Sequence, residues 1–487
     1  MSADFGEERM LIDGALVASS SGATYPTINP ATEEILGVAA AGTPADLDRA
    51  IGAARRAFDE SSWSADVDLR VRCLRQLQQA MTAHADELRA MTIAETGSPL
   101  FFTRSAALDE PVAALGWVAD LAEGYEWTTD LGTAKPLGMP AHRWVRREPA
   151  GVVAAVTPWN VPHQINLAKL GPALAAGNTV VLKPAPDTPW CATAVGRLIV
   201  EETDIPAGVV NIVTSAAADY GAPLATDGRV DQVSFTGSTK TGRKVMAAAA
   251  GTVKRVFLEL GGKSAFVVLD DADLSSACAT AAFMVCTHAG QGCAITTRLV
   301  VPRERFDEAV DLTASTLQGL AAGDPLDPGT VCGPLISERQ RQRVEHYIGL
   351  AREEGGTIVV GGGRPADKEK GFFVEPTLVV GLKGDARVVR EEIFGPVLVV
   401  SAHDGDDNAV AQANDSSYGL SGSVWGARDR AMAVAARLRT GTVSINGGVW
   451  YSPDMPFGGY KQSGLGREMG VAGFEEYLET KSIAEPA

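Results

Sequence analysis

From residue 151 to residue 259, short apolar runs alternate with helical stretches, and this alternation limits the chain to one fold class. The runs lie at 151–156, 179–183, 208–213, 230–235 and 254–259. The spacers at 168–176 and 190–202 read as helices. Strands separated by helices predict a mostly parallel, doubly wound α/β sheet. Ligands of such sheets bind beyond the carboxyl ends of the strands. Lys183, Gly237 and Glu259 all fall at those ends. A second alternation follows, with strands at 264–269, 297–301, 357–360, 398–400 and 442–445 and helices at 304–320 and 337–354. A chain of 487 residues exceeds one ordinary core, so two α/β domains are expected.

Upstream, residues 9–36 read as short strands and turns. Thr43 can cap a helix that has Pro44 at its first position and Asp46 in its first turn. Leu47, Ile51, Ala54 and Phe58 give that helix an apolar face. Further helix is expected over 66–96 and 105–123. The segment 127–147 holds Gly132, Pro136, Gly138 and Pro140 and reads as a hairpin, with a surface loop as the alternative.

Charge and cysteine content narrow the function classes. Lys and Arg total 43 against 60 Asp and Glu, so the net charge is −17. That argues against nucleic acid or an anionic membrane as partner. No apolar run is long enough to span a bilayer, since Lys169, Pro172 and Asn178 interrupt the longest small-apolar stretch. The six cysteines form no Cys-x-x-Cys pair, so neither a disulfide framework nor a clustered metal site is expected. The acidic start lacks a signal-peptide layout, and reduced thiols point to the cytoplasm.

Three stretches could carry chemistry. Phe235-Thr236-Gly237-Ser238 opens a glycine turn that runs to Gly242 and suits a strand feeding a helix. Ser238 can cap that helix, and its exposed amides can face a diphosphate. The spacing is neither Gly-x-Gly-x-x-Gly nor a nucleotide-hydrolase loop. Glu259 heads Glu259-Leu260-Gly261-Gly262-Lys263 and is a candidate base. Cys293 closes Gly290-Gln291-Gly292-Cys293, where small neighbours leave room above the sulfur. Cys278 and Cys286 fall in an apolar helix and read as inert core thiols. Asn160, after Thr157-Pro158-Trp159, can offer a side-chain N–H to an oxyanion or can bond its own turn. Lys183 precedes a rigid proline turn and can bond ribose or phosphate, or simply lie at the surface.

Taken with Glu391-Glu392-Ile393-Phe394-Gly395-Pro396 and Pro456-Phe457-Gly458-Gly459-Tyr460-Lys461, these motifs resemble the NAD(P)-dependent aldehyde dehydrogenase superfamily over almost the whole chain. The resemblance implies a fold of two doubly wound α/β domains with a small oligomerisation hairpin. The cofactor domain would take 1–126 and 149–261, the hairpin 127–148, and the catalytic domain 262–450. Residues 451–487 would form a return segment and a C-terminal oligomerisation arm, giving a homodimer or homotetramer. Cys293 would be the nucleophile, Glu259 the general base, and Asn160 with the Cys293 amide the oxyanion hole. Lys183 would hold adenosine ribose, Gly237 and Ser238 the diphosphate, and Glu392 the ribose beside nicotinamide. Phe394, Trp159, Thr157, Gly242 and Leu260 would complete the cofactor site.

The chain departs from the family pattern in three places. Pro186 stands where members carry a ribose-gripping glutamate, which keeps NADP open beside the favoured NAD. His288 stands where an asparagine is usual, and Ser215-Ala216-Ala217 replaces a glycine-rich turn. The expected reaction is oxidation of an aldehyde to a carboxylate through a cysteine thioester. Acyl transfer to coenzyme A and a catalytically silent binding protein are the alternatives. Val161, Gln164, Ile165 and Ala168 would line the aldehyde tunnel by helical spacing. Trp450, Tyr451 and Phe457 would supply an aromatic wall, or would merely pack the surface. With no arginine in these segments, a medium-sized or bulky apolar aldehyde is expected rather than a dicarboxylic semialdehyde.

Overall fold

A run of five parallel strands forms the centre of the first large sheet, in the spatial order Arg255–Glu259, Gln232–Thr236, Val152–Val156, Thr179–Lys183, Val210–Ile212. This computed structural model describes residues 6–217 and 219–487, so the acidic start through Phe5 lies outside the described residues. The chain steps from Val152–Val156 outward in one direction, then returns to lay Gln232–Thr236 on its other flank. The reversal creates a switch point between those two strands. Beyond their carboxyl ends lie Thr157 to Asn160 and Gly237 to Ser238, as expected.

Alternation along the central strand explains why both faces are covered. Val153 and Ala155 pack with Leu170 and Leu182 in one cluster, while Val152 and Ala154 pack with Leu47, Ile51 and Ala54 in another. The second cluster includes the helix Pro44–Glu60, whose Thr43 cap and Asp46 form a reciprocal capping box.

The second large sheet runs Thr357–Val360, Thr377–Val380, Val397–His403, Thr296–Pro302, Ser264–Val268, Gly422–Trp425, Ser444–Ile445. All its pairings are parallel except that of the edge strand Thr357–Val360. Only Leu260 to Lys263 separate Arg255–Glu259 of the first sheet from Ser264–Val268 of the second. The segment 127–147 is a hairpin rather than a loop. Thr128–Ala134 pairs with Ala141–Pro149, and the C-terminal strand Leu478–Pro486 adds to its free edge.

Several boundaries differ from expectation. The helix expected over 66–96 is two, Val67–Ala83 and Ala85–Thr96, because His84 leaves helical geometry at φ −100, ψ 17. The His84 ring bonds Glu87 and Glu202 there, a tertiary tie that periodicity cannot show. The helix expected from 105 begins at Asp109, after a separate short turn at Leu100–Thr103. The helix expected from 168 begins at Pro162, with proline at its first turn. Its polar Lys169 is buried because Glu468 and Ser234 receive its ammonium at 2.6 and 3.1 Å. Thr377–Val380, Gly422–Trp425 and Gly464–Leu465 are strands that went unrecognised. Each is short, and its pairing is long-range.

Candidate active site

The short link between the sheets brings the candidate base to the candidate thiol. Glu259 ends its strand and is buried at 2% exposure. The glycines after it permit two close approaches. A Cβ on Gly262 would lie 2.7 Å from the Cys293 carbonyl oxygen, and one on Gly261 would lie 2.5 Å from Glu392 Oε2. Glu392 Oε1 accepts the Gly262 N–H at 2.9 Å. The returning chain closes the other side, where Ser463 Oγ donates to the Gly261 carbonyl at 2.7 Å.

The thiol sits after a tightly held loop. The helix Leu274–Cys286 ends, and His288, Ala289 and Gly290 follow with φ of 49°, 53° and 69°. Such a left-handed run costs energy at its non-glycine residues and must be held by its surroundings. Gln291 supplies much of that hold. Its side-chain nitrogen donates to the His288 and Pro334 carbonyls at 3.2 Å each, and its Oε1 accepts the Ile336 N–H at 2.9 Å. Cys293 is half-buried, whereas the other five cysteines are buried. Asn160 Nδ2 donates to the Gln291 carbonyl at 2.9 Å. An amide nitrogen carries two hydrogens, so this bond fixes the rotamer and leaves one N–H to give.

Electrostatics distinguish the base from a solvated glutamate. Burial, then the nearby Glu468 charge, push the Glu259 carboxyl up to about 8, while the Cys293 thiol and Lys169 pull against them. Its Oε1 has no hydrogen-bond partner among the described residues. Burial, reinforced by the Glu259 and Glu392 charges, pushes the Cys293 thiol well above its ordinary value. The resting pair is therefore a neutral thiol beside a carboxyl that gains its charge as pH rises through about 8.

Cys293 stands where two cavities meet. A cleft of about 630 Å³ is lined by Trp159, Gly237, Ser238, Leu260, Glu392 and Phe394 among others. A tunnel of about 340 Å³ arrives from the other side, lined by Val161, Gln164, Ala168, Trp450, Tyr451 and Phe457 among others. Both reach Asn160, Ile165, Glu259 and Cys293. One cavity can hold an elongated phosphate-bearing ligand and the other an apolar one, with the sulfur between them.

The model of the aldehyde dehydrogenase family matches residues 16–483. The chain belongs to the aldehyde dehydrogenase family. It is 43% identical over 478 residues to the 3-succinoylsemialdehyde-pyridine dehydrogenase of a Pseudomonas species, covering 97% of each chain. It is 38% identical to the betaine aldehyde dehydrogenase of Bacillus subtilis, covering 98% of this chain and 97% of that one. Among solved structures, Staphylococcus aureus betaine aldehyde dehydrogenase in complex with NAD+ superposes with a TM-score of 0.96 at 36% identity, covering 99% of this chain and 95% of that one. The protein is an aldehyde dehydrogenase, an oxidoreductase of the kind that does not acylate coenzyme A.

The dehydrogenase fold places the expected site residues unequally. The helix Thr239–Ala249 presents its first turn to the cleft, and Ser238 caps it by accepting the Thr241 N–H. Trp159 and Phe394 meet edge to face at 5.4 Å and form one wall. Trp450 stacks parallel to Phe457 at 5.0 Å inside the tunnel, so it does not merely pack the surface. Three other residues stand back. Thr157 Oγ1 bonds Asn166 at 2.7 Å, Lys183 is buried beside Gly221, and Gly242 packs on Leu260, where a Cβ would come within 2.5 Å.

Sequence reasoning missed the cleft wall given by the helix Glu338–Glu353. Arg339, Gln340 and Arg343 line the cleft from the second domain. Gln340 donates to the Phe394 carbonyl at 2.7 Å. Arg339 also faces Asp187 electrostatically, which brings a cation from a distant segment to the proline turn. The only sequence signal was a run of arginines that reads equally well as a solvated helix face. On the tunnel side, Phe102, Met284 and Val449 join from three separate segments.

Proposed function

We propose that the protein oxidises a medium-sized or bulky apolar aldehyde to its carboxylate with NAD, through a thioester on Cys293. The observation that carries this reading is the half-buried thiol at the junction of an apolar tunnel and a more polar cleft. The Glu259 carboxylate accepts the thiol proton as sulfur bonds the carbonyl carbon. The side-chain N–H of Asn160 and the main-chain N–H of Cys293 stabilise the oxyanion. NAD, when bound, supplies the hydride acceptor. Loss of hydride leaves the thioester. Glu259 releases the thiol's proton to solvent and, ionised again, takes one from the water that displaces the sulfur, which leaves as thiolate and is reprotonated. Gly237, Ser238 and the helix turn they open are suited to a diphosphate, and Glu392 to a ribose hydroxyl.

Among the described residues no lysine or arginine lines the tunnel, whose charged groups are Glu259 and Glu468. That disfavours a substrate with a distal carboxylate. Relatives named for 3-succinoylsemialdehyde-pyridine and for geranial support a bulky aldehyde. NAD is favoured over NADP, in keeping with the NAD+ complexes of the structural relatives. The cofactor domain comprises 1–126 and 149–261, the catalytic domain 262–450, and the hairpin at 127–148 joins the arm at 451–487 in a homodimer or homotetramer. Exposed Leu131, Leu137, Met139 and Ile483 on and beside that three-stranded sheet support its role as an interface. Free cysteines throughout suit the cytoplasm, and among the described residues no helix is long and apolar enough to cross a membrane.

The test is a kinetic series from acetaldehyde through long-chain and aromatic aldehydes, with NAD and NADP. Each added buried CH₂ is expected to gain up to ~0.8 kcal/mol, about fourfold in kcat/KM, until the tunnel is filled. Cys293→Ala is expected to bind NAD and turn nothing over. A kcat/KM highest for acetaldehyde or for a carboxylate-bearing semialdehyde would refute the substrate class. A more than tenfold preference for NADP would refute the cofactor, and full turnover by Cys293→Ala would refute the mechanism.

A further inference from the structure

Resting on the roles just given to Asn160 and Cys293, we propose that His288 is a positioning residue for the oxyanion donor. Its ring N–H, donated to the main-chain oxygen of Asn160, holds that residue against the loop that carries the thiol. The His288 ring is almost fully buried, at 2% exposure. Its Nε2 lies 2.7 Å from the Asn160 carbonyl oxygen. A carbonyl oxygen can only accept, so Nε2 carries the proton. Nδ1 is then the acceptor of the Ser98 hydroxyl at 3.3 Å. The ring face stacks on Phe102 at 5.7 Å, with the planes 27° apart. Burial holds the imidazole down to about 4, so this tautomer is neutral through the working pH range.

The consequence lies in how Asn160 is tied. Its main chain is bonded by His288 and its side chain by the Gln291 carbonyl. Gln291 in turn donates both its main-chain N–H and its side-chain nitrogen to the His288 carbonyl, at 3.1 and 3.2 Å. His288, Gln291 and Asn160 thus close a ring of hydrogen bonds between the first sheet's switch point and the thiol loop of the second domain. Both ends of the donor residue are fixed relative to Cys293 before substrate arrives. An oxyanion donor is effective only when it is aimed in advance at the place where charge develops.

Two substitutions separate the N–H from the ring. His288→Gln keeps a donor at the reach of Nε2 and removes the aromatic face. His288→Phe keeps the stack on Phe102 and removes the donor. The readout is the rate of the pre-steady-state NADH burst with saturating NAD and benzaldehyde, beside KM for aldehyde and thermal stability. His288→Gln is expected to stay within about threefold of the parent burst rate. His288→Phe is expected to fall by ~tenfold or more with KM within about twofold. His288→Ala, lacking both groups, should match His288→Phe, and it serves in its place should the phenylalanine variant not fold. Asn160→Ala should itself slow the burst by about 10²–10³. Adding His288→Phe to it should then cost less than about twofold more, because the residue being positioned has lost its donor.

A His288→Phe burst equal to the parent, a His288→Gln loss as large as that of His288→Phe, or effects that multiply in the double variant would each overturn the positioning role. Those results would leave the thioester mechanism standing. A parent-like burst from Asn160→Ala would instead overturn the oxyanion assignment beneath it.

Discussion

Hydrolysis of the acyl-enzyme should climb steeply with pH across neutrality, and Glu259 sets the range. Its carboxyl is held up to about 8 by burial first and by Glu468 next. A general base works in its ionised form, which grows as pH rises through that value. One unit below it, roughly a tenth of the groups are ionised, and one unit above it roughly nine tenths. Deacylation should therefore rise about tenfold from pH 7 to pH 9 and then level. Acylation consumes the thiol hydrogen that lowers the Glu259 value in the resting enzyme, so the acyl-enzyme should titrate no lower than the resting one. Glu259→Gln should lose the slope and slow hydrolysis by about 10²–10⁴. The assay is rapid mixing with a chromogenic acyl donor that loads Cys293 directly, followed at fixed ionic strength from pH 6 to pH 9.5. It isolates hydrolysis from hydride transfer. A flat wild-type profile over that range, or a Glu259→Gln variant that hydrolyses at the parental rate, would show that this carboxyl is not the base.

Two further outcomes test the surroundings of the thiol. Trp450→Ala should lower kcat/KM for aromatic and long-chain aldehydes by about tenfold or more, the value of one buried aromatic face, and leave acetaldehyde nearly unchanged; an equal loss for every aldehyde would place Trp450 outside the substrate path. Gly290→Ala puts a side chain at φ 69° with its Cβ 2.3 Å from the Gly395 carbonyl oxygen. It should cost more than about 1–3 kcal/mol of stability and most of the activity, and a denaturant midpoint equal to the parent's would mean that the loop is not so confined.

The sequence by itself determined what local rules can determine. Alternation between residues 151 and 259 gave the parallel sheet, because strand and helix periods are properties of neighbouring residues. Thr43 announced its cap, and Ser238 its own, for the same reason, while the reciprocal bond from Asp46 appeared only in the fold. Motif order was enough to single out Cys293, Glu259 and Asn160, and small residues around Cys293 hinted at access to its sulfur. The tertiary structure decided everything that depends on distant segments meeting. It broke one expected helix at His84 to reach Glu202, and it buried Lys169 by bringing Glu468 to it. It buried Lys183 and tied Thr157 to Asn166, and it brought arginines to the cleft from a helix of the other domain. It also made His288, which in sequence was only a departure from a pattern, the partner of the Asn160 main chain. The physical reason is common to all of these. A residue's type and its neighbours fix its backbone preference, but burial and the charges around it fix its proton affinity and its partners, and those are supplied by parts of the chain hundreds of positions away.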